Sequence, residues 1–305
     1  MAVQVNKERI RVEEPPMDLV EGRQSAVVYF SGMIDGFRVW YRFNPNAEAG
    51  KIKNIEPVAQ LYSDREIQGG WAVTDEDDLY WAGGLDLGSE PPTSSKLLLK
   101  HSPILLSPRR WLQESDSRKL PRVTPFIQPL DRKLYVVAGS QHRYSASSDW
   151  TKCGEVYDLD KKTWEYLNAH FQPFNNKDYQ AAVGLKDGTK MGFYNLSDPA
   201  SILFLDLTSA KIHHEDHPSF SLGIKSLITL SHVSARMPAV FREDTFYWFT
   251  YDLQLHGYDF NLKTWFHSPS LITLFPPLKL DDPFSPILVD LHNGKLLVVI
   301  VDHPG

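Results

Sequence analysis

Asp252, His142 and Arg143 are side chains of the types that move protons or hold charged groups, and each follows a short apolar run. The placement is general. An Asp follows such a run at Asp35, Asp86, Asp198, Asp252 and Asp302, and where a sixth is due the chain has Gln141 and His142. If these positions converge, they make an acidic rim whose summed potential favours a cationic metabolite, a basic peptide or a metal ion. Asp is also frequent in turns for backbone reasons alone, so the spacing has a purely structural reading as well. The longest stretch of this kind, 140–155 (SQHRYSASSDWTKCGE), concentrates Gln141, His142, Arg143, Tyr144, Asp149, Trp150 and Cys153. Long connections inside a compact repeat are often functional. Its counterpart at 85–95 reads as a Pro-braced segment, and Trp40 and Trp150 are the tryptophans expected at or near a loop.

A second group of potential ligands is HHEDH, 213–217. On a strand, His213, Glu215 and His217 share one face, and imidazole and carboxylate are familiar metal ligands. That strand is expected to be the outermost of its unit, where alternating polar residues meet solvent, and Pro218 ends it. The chain has no Gly-rich nucleotide loop and no G-x-S-x-G elbow. Carboxylates are plentiful, but spacing alone selects no acid–base pair. Cys153 is the one cysteine, so no intrachain disulfide forms. A net charge of −6 argues against nucleic acid as the main partner. The opening MAVQVNKERIRVEEPP is too charged for a signal peptide, and no apolar run nears the ~20 residues of a membrane-spanning helix. The expected location is the cytosol, with the nucleus as a second possibility.

The elements that must position these residues are short strands. Aromatics make up 12% of the 305 residues and hydrophobic residues 42%, while 18 Gly and 21 Pro end many short elements, a composition of β character. Six apolar runs recur about every fifty residues: 25–32, 78–84, 133–139, 189–195, 245–252 and 294–302. Most follow another short apolar run across an Asp-Gly, Asn-Gly or Asp-rich turn, so each pair reads as a hairpin forming the two inner strands of a four-stranded unit. The outer strands come from GEVYDLDKKTWEYL (154–167) and its second copy HGYDFNLKTWFHS (256–268). Tyr157 and Trp164, like Tyr258 and Trp265, stand seven apart; Tyr157 and Leu159 are expected to alternate on one strand before the DKK turn. Leu205 and Ile212 repeat the spacing. Trp71, Trp81, Tyr80, Tyr135, Tyr247, Trp248 and Trp265 are expected to pack between units.

A four-stranded unit recurring at this interval, with Gly ending the second strand and a Tyr–Trp pair beyond, resembles the kelch repeat of β-propellers. The Gly pair of that repeat is present as Gly83-Gly84, reduced to Gly32 and Gly139 in two units and absent from the last three. The resemblance implies an all-β, six-bladed propeller with four antiparallel strands per blade. The N-terminal VQVNKERIRVE matches YDLDKKTWEYL, with Val3, Val5 and Ile10 standing where Tyr157, Leu159 and Trp164 do. Residues 2–14 are therefore expected to complete the last blade (285–301), making residues 1–305 a single domain and covering the sheet edges. A C-terminally truncated chain with an open sixth blade is the competing reading.

Asp149 and Cys153 also resemble the end of the Glu-x-x-x-Asp-x-x-x-Cys iron site of nitrile-specifier proteins, stand-alone plant kelch propellers, although Ser145 replaces the Glu. That resemblance implies Fe2+; no other cofactor is expected. The ligand set of the kelch copper-radical oxidases is not found. Two functions remain open. In one, a monomeric kelch propeller binds a protein or a small cationic metabolite through the rim Asp35, Asp86, Gln141, His142, Arg143, Trp150, Asp198, Asp252 and Asp302. In the other, the same rim steers a reactive small molecule in specialised metabolism, with Asp252, His142 or Arg143 as proton carriers. The propeller is expected to take up residues 1–305, with no F-box or BTB domain, which kelch proteins usually add, expected among them.

Overall fold

The computed structural model describes residues 28–34, 37–43, 57–62, 66–86, 93–94, 96–103, 110–115, 122, 125–137, 154–167, 179–186, 189–195, 201–216, 239–242, 244–249, 254–270, 287–290 and 296–299. All the regular structure among them is β. Blade one holds β1 (Val28–Ile34), β2 (Phe37–Phe43) and β3 (Pro57–Tyr62). In blade two, β4 (Glu66–Val73), β5 (Leu79–Asp86), β7 (Leu98–His101) and β8 (Leu112–Ser115) follow in order, with short β6 (Thr93–Ser94) paired to β5. Blade three is β9 (Phe126–Leu130), β10 (Lys133–Val137), β11 (Gly154–Asp158) and β12 (Thr163–Leu167). Blade four is β13 (Tyr179–Lys186), β14 (Lys190–Asn195), β15 (Ser201–Asp206) and β16 (Lys211–Asp216). Blade five is β17 (Ala239–Arg242), β18 (Thr245–Phe249), β19 (Leu255–Asp259) and β20 (Thr264–His267). A separate hairpin, β21 (Ile287–Asp290) with β22 (Leu296–Val299), closes the series.

The chain is thus a propeller, but among the described residues it has five blades rather than the six expected, and blade one shows three strands rather than four. Among the described residues the sixth unit appears as β21–β22, a two-stranded sheet. Residues 2–14, expected to supply that pair, lie outside the described residues. Within blades neighbouring strands are antiparallel, whereas β13 and β17, the first strands of blades four and five, pair in parallel through Ala182–Ala239 and Val183–Val240. First strands of successive blades therefore run side by side: β4 also packs on β9, and β21 on β17.

The seven-residue Tyr–Trp spacing has a local cause. Tyr157 and Trp164 are cross-strand partners with ring centroids 4.9 Å apart, as are Tyr258 and Trp265 at 5.2 Å. Leu205 faces Ile212 in the same way. The Asp after each first member makes the turn: one carboxylate oxygen of Asp158 accepts the backbone N–H of Asp160 and Lys161 at 3.0 and 2.9 Å. Asp206 does the same for Thr208 and Ser209, and Asp259 for Asn261 and Leu262. Each turn then returns through one left-handed residue, Lys162 (φ 58°), Ala210 (φ 54°) or Lys263 (φ 54°). Leu159 is consequently the first turn residue, not a strand residue, and it is buried. Its N–H donates to the carbonyl of Arg132 in the inner hairpin turn at 3.0 Å; Leu207 and Phe260 donate likewise to Thr189 and Asp244.

Apolar seams join the blades. Trp40, Ala59, Leu79 and Trp81 fill the seam between blades one and two, and Tyr80, Leu98, Leu134, Val136, Tyr157 and Trp164 the next. Tyr135, Val137, Phe193, Leu203 and Leu205 pack between blades three and four. Phe204 of blade four meets Phe241 and Phe260 of blade five at 5.5 and 6.0 Å. Gly83 (φ 79°) and Gly84 (φ 102°) let the chain entering blade three approach closely: Gly84 donates its N–H to the Arg122 carbonyl at 2.9 Å, and a Cβ at Gly83 would lie 2.5 Å from that oxygen.

Candidate functional site

Strand direction decides which connections share an end of the molecule. In blades three to five the strands alternate, so the first–second and third–fourth connections leave at one end. They are tight there: 131–132, 159–162, 207–210 and 260–263. Second–third and blade-to-blade connections leave at the opposite end; three of them, 138–153, 168–178 and 217–238, are long, while 196–200 and 250–254 hold five residues each. The parallel β13–β17 pairing brings these ends into line in blades four and five, so the connections that carry Asp198 and Asp252 start from the same side.

Asp86 is the last residue of β5 and stands opposite Glu66, so two acidic residues occupy adjacent register positions at this end. Asp35, Gln141, His142, Arg143, Trp150, Asp198, Asp252 and Asp302 lie outside the described residues. So do Asp149 and Cys153, on which the iron-site resemblance rests. Trp40, expected near a loop, is instead fully buried on β2, its ring 5.7 Å from that of Trp81 and 5.1 Å from that of Trp111. It is a packing residue because blade two closes over it. His213 is exposed on β16, the outer strand of blade four, with Glu215 two positions on and His217 outside the described residues. Among the described residues no group of three or more His, Cys, Asp or Glu is arranged to hold a metal ion. None of their helices is long and apolar enough to cross a membrane.

Polar groups do converge at the tight-turn end, across seams the sequence pattern did not reveal. Asp78, nearly buried, accepts from the Ser102 hydroxyl and pairs with Lys100 at 2.6 Å. Arg42 of blade one reaches Asp77 of blade two at 2.8 Å. Arg132 of blade three bridges Glu76 of blade two and its own Asp160, the latter at 2.9 Å. Glu114 of blade two takes Lys162 of blade three and lies 3.5 Å from the Tyr157 hydroxyl. Burial raises the Tyr80 and Tyr157 phenols, with the Glu114 charge adding to it, and burial helped by Asp77 pushes Tyr29 up to about 12. Both effects favour the protonated phenol. The ion pairs of this cluster stitch neighbouring blades together.

The seam between blades one and two has its own polar fastening. His101, fully buried, sets Nδ1 2.9 Å from the Arg110 carbonyl and Nε2 2.7 Å from that of Val58, and Trp111 donates its Nε1–H to the Gln60 carbonyl at 2.8 Å. Sequence reading missed His101 because its partners are backbone carbonyls, one in its own blade at Arg110 and one in blade one at Val58. Glu155 and Arg122, both buried, went unnoticed as well, because burial of a charged residue is set by how the blades pack.

Known proteins support the repeat. Residues 129–169, which span blade three, match the kelch motif. The chain is similar to an F-box/kelch-repeat protein of Arabidopsis thaliana, 31% identical over 42% of this chain and 30% of the relative. It is also similar to a kelch repeat and BTB domain-containing protein of cowpox virus (strain Brighton Red), 26% identical over 54% of this chain and 27% of the relative. The matched part thus spans less than a third of either relative's length. Among solved structures, YjhT shares the fold with a TM-score of 0.50 at 16% identity, covering 77% of this chain and 71% of that one.

Proposed function

We propose a binding role for this chain, which belongs to the kelch-repeat family: a propeller that presents its long-connection end to a protein partner. The observation that carries this reading is the asymmetry of the two ends. In blades three to five one end is closed by two- to four-residue turns, the outer ones Asp-capped, and ion pairs tie it to blade two, while the connections at the other end reach the length of 217–238. Rigid strands carrying long connections at one end are a common arrangement for recognition surfaces. The relatives join kelch repeats to an F-box or a BTB domain, which fits a recognition part used alongside other functions. In this reading Asp35, Asp86, Gln141, His142, Arg143, Trp150, Asp198, Asp252 and Asp302 face the partner, and their surplus of carboxylates favours a basic surface on it. The propeller acts as one domain in the cytosol or nucleus, with residues 2–14 adding outer strands to the β21–β22 hairpin.

Quantitative capture of partners from a native extract tests this. The immobilised chain is compared with a His142→Ala/Arg143→Ala/Trp150→Ala variant and with Lys161→Glu, a change at the tight-turn end. Proteins kept by the wild type and Lys161→Glu but lost by the triple variant are the expected result. Equal capture by all three forms overturns the assignment of the face. Thermal stabilisation by a cationic metabolite, abolished by Asp252→Asn, would instead assign the rim to a small molecule.

A further inference from the structure

Blade five carries a pair of imidazoles that the binding role does not use. His256 on β19 and His267 on β20 are direct cross-strand partners, with ring centroids 5.8 Å apart and planes 26° from parallel. The next pair along is hydrogen-bonded: Ser268 donates its backbone N–H to the Leu255 carbonyl at 2.8 Å, and Leu255 donates its N–H to the Ser268 hydroxyl at 3.0 Å. Hydrogen-bonded and non-hydrogen-bonded positions alternate along an antiparallel ladder. His256 and His267 therefore hold a non-hydrogen-bonded position, where opposite Cα atoms come within about 4.5 Å and the side chains leave on one face. The Ser268 hydroxyl also donates to the Pro269 carbonyl at 2.8 Å, which anchors the ladder one residue beyond the pair. At the same position of the repeat, blade three has Glu155 opposite Tyr166 and blade four Leu203 opposite His214. Propeller packing accepts such different pairs there that it does not require two imidazoles.

We propose that His256 and His267 form a bidentate seat for a divalent d-block cation of the Zn2+, Cu2+ or Ni2+ class, with water completing its coordination. Neutral imidazole suits these ions, whereas Mg2+ and Ca2+ select oxygen ligands. Two rings on one fixed ladder position bind as a chelate, because once one nitrogen has coordinated, the second bond forms intramolecularly. His267 is exposed and turns toward the ion, while half-buried His256 supplies the fixed side of the chelate. Any proton on either ring is released on coordination. The pair lies at the end of β19 and β20 opposite their 260–263 turn.

Calorimetric titration of the untagged full chain with Zn2+ tests the proposal, and Cu2+ electron paramagnetic resonance counts the nitrogen ligands. We expect one site in the wild type, weakened roughly tenfold or more by either His256→Ala or His267→Ala. His213→Ala, which removes an exposed imidazole from β16, leaves it unchanged. The Cu2+ spectrum shows two nitrogens in the wild type and one in each single variant, a ligand count that a general effect on folding does not produce. Equal affinity in the wild type and the double variant, or no binding up to about 1 mM Zn2+, overturns the site.

Discussion

A Cβ added at Gly70 would sit 2.2 Å from the carbonyl oxygen of Pro125, a backbone atom at the entry to blade three. One added at Gly257 would come equally close to the Phe266 ring, but that ring is 44% exposed and can swing outward. We expect Gly70→Ala to cost about 1–3 kcal/mol in denaturant unfolding, the usual penalty for overpacking. Gly257→Ala should fall within about 1 kcal/mol of the wild type, because Ala also regains the strand propensity that Gly lacks. Equal effects would mean that the approach of blade three is not the constraint. In the sequence the two glycines read alike, since each lies in an apolar strand and the atom that separates them belongs to a distant segment. Trp40 teaches the same lesson. Its neighbours in the chain place it beside a loop, and Trp71, Trp81 and Trp111 from blade two bury it.

The outer hairpin of each blade is the element most legible in the chain. Tyr157 and Trp164 had to be partners because an Asp-capped four-residue turn separates them, and all its parts are local. The backbone N–H of Lys161 chiefly lowers the Asp158 carboxyl from its ordinary value, and that of Ser209 does so for Asp206. A carboxylate held below its unfolded value stabilises the fold above the unfolded range, near pH 3.9. That contribution disappears as pH falls through the lowered folded value. The double variant Asp158→Asn/Asp206→Asn keeps an oxygen acceptor in each turn and removes the titration. Near pH 7 it should lack the charge-assisted part of those bonds and melt slightly below the wild type. Below about pH 4 its melting temperature should fall less steeply than that of the wild type. Parallel acid slopes in thermal scans from pH 2 to 7 would show that these turns do not govern acid stability. Lys162, Ala210 and Lys263 were not legible as left-handed residues, because none is a Gly or an Asn.

At the scale of the whole molecule, the periodicity of about fifty residues correctly announced a propeller, and the count of six apolar hairpins overstated the blades. A hairpin is readable from alternation and a turn, but a blade also requires outer strands, which β21–β22 lacks among the described residues. If residues 2–14 supply them, deleting residues 1–14 lowers the melting temperature by about 4 °C or more, the shift expected for a loss of about 2 kcal/mol. Unchanged unfolding would remove that closure. The blade seams add a second layer that chain order hides: Arg132 with Glu76, Lys162 with Glu114 and Arg42 with Asp77 each join different blades.

By itself the sequence determined the repeat, the β character of every unit, the cross-strand Tyr–Trp pairs and the Asp turns, because each depends on contacts within a few residues. It also gave the lengths of the connections, which are properties of the chain. Only the tertiary structure decided which end of the blades those connections share, that Trp40 and His101 are buried in a seam, and that His256 and His267 face each other on neighbouring strands. Those facts depend on strand direction, register and the approach of one blade to the next, which bring together groups whose separation along the chain carries no signal.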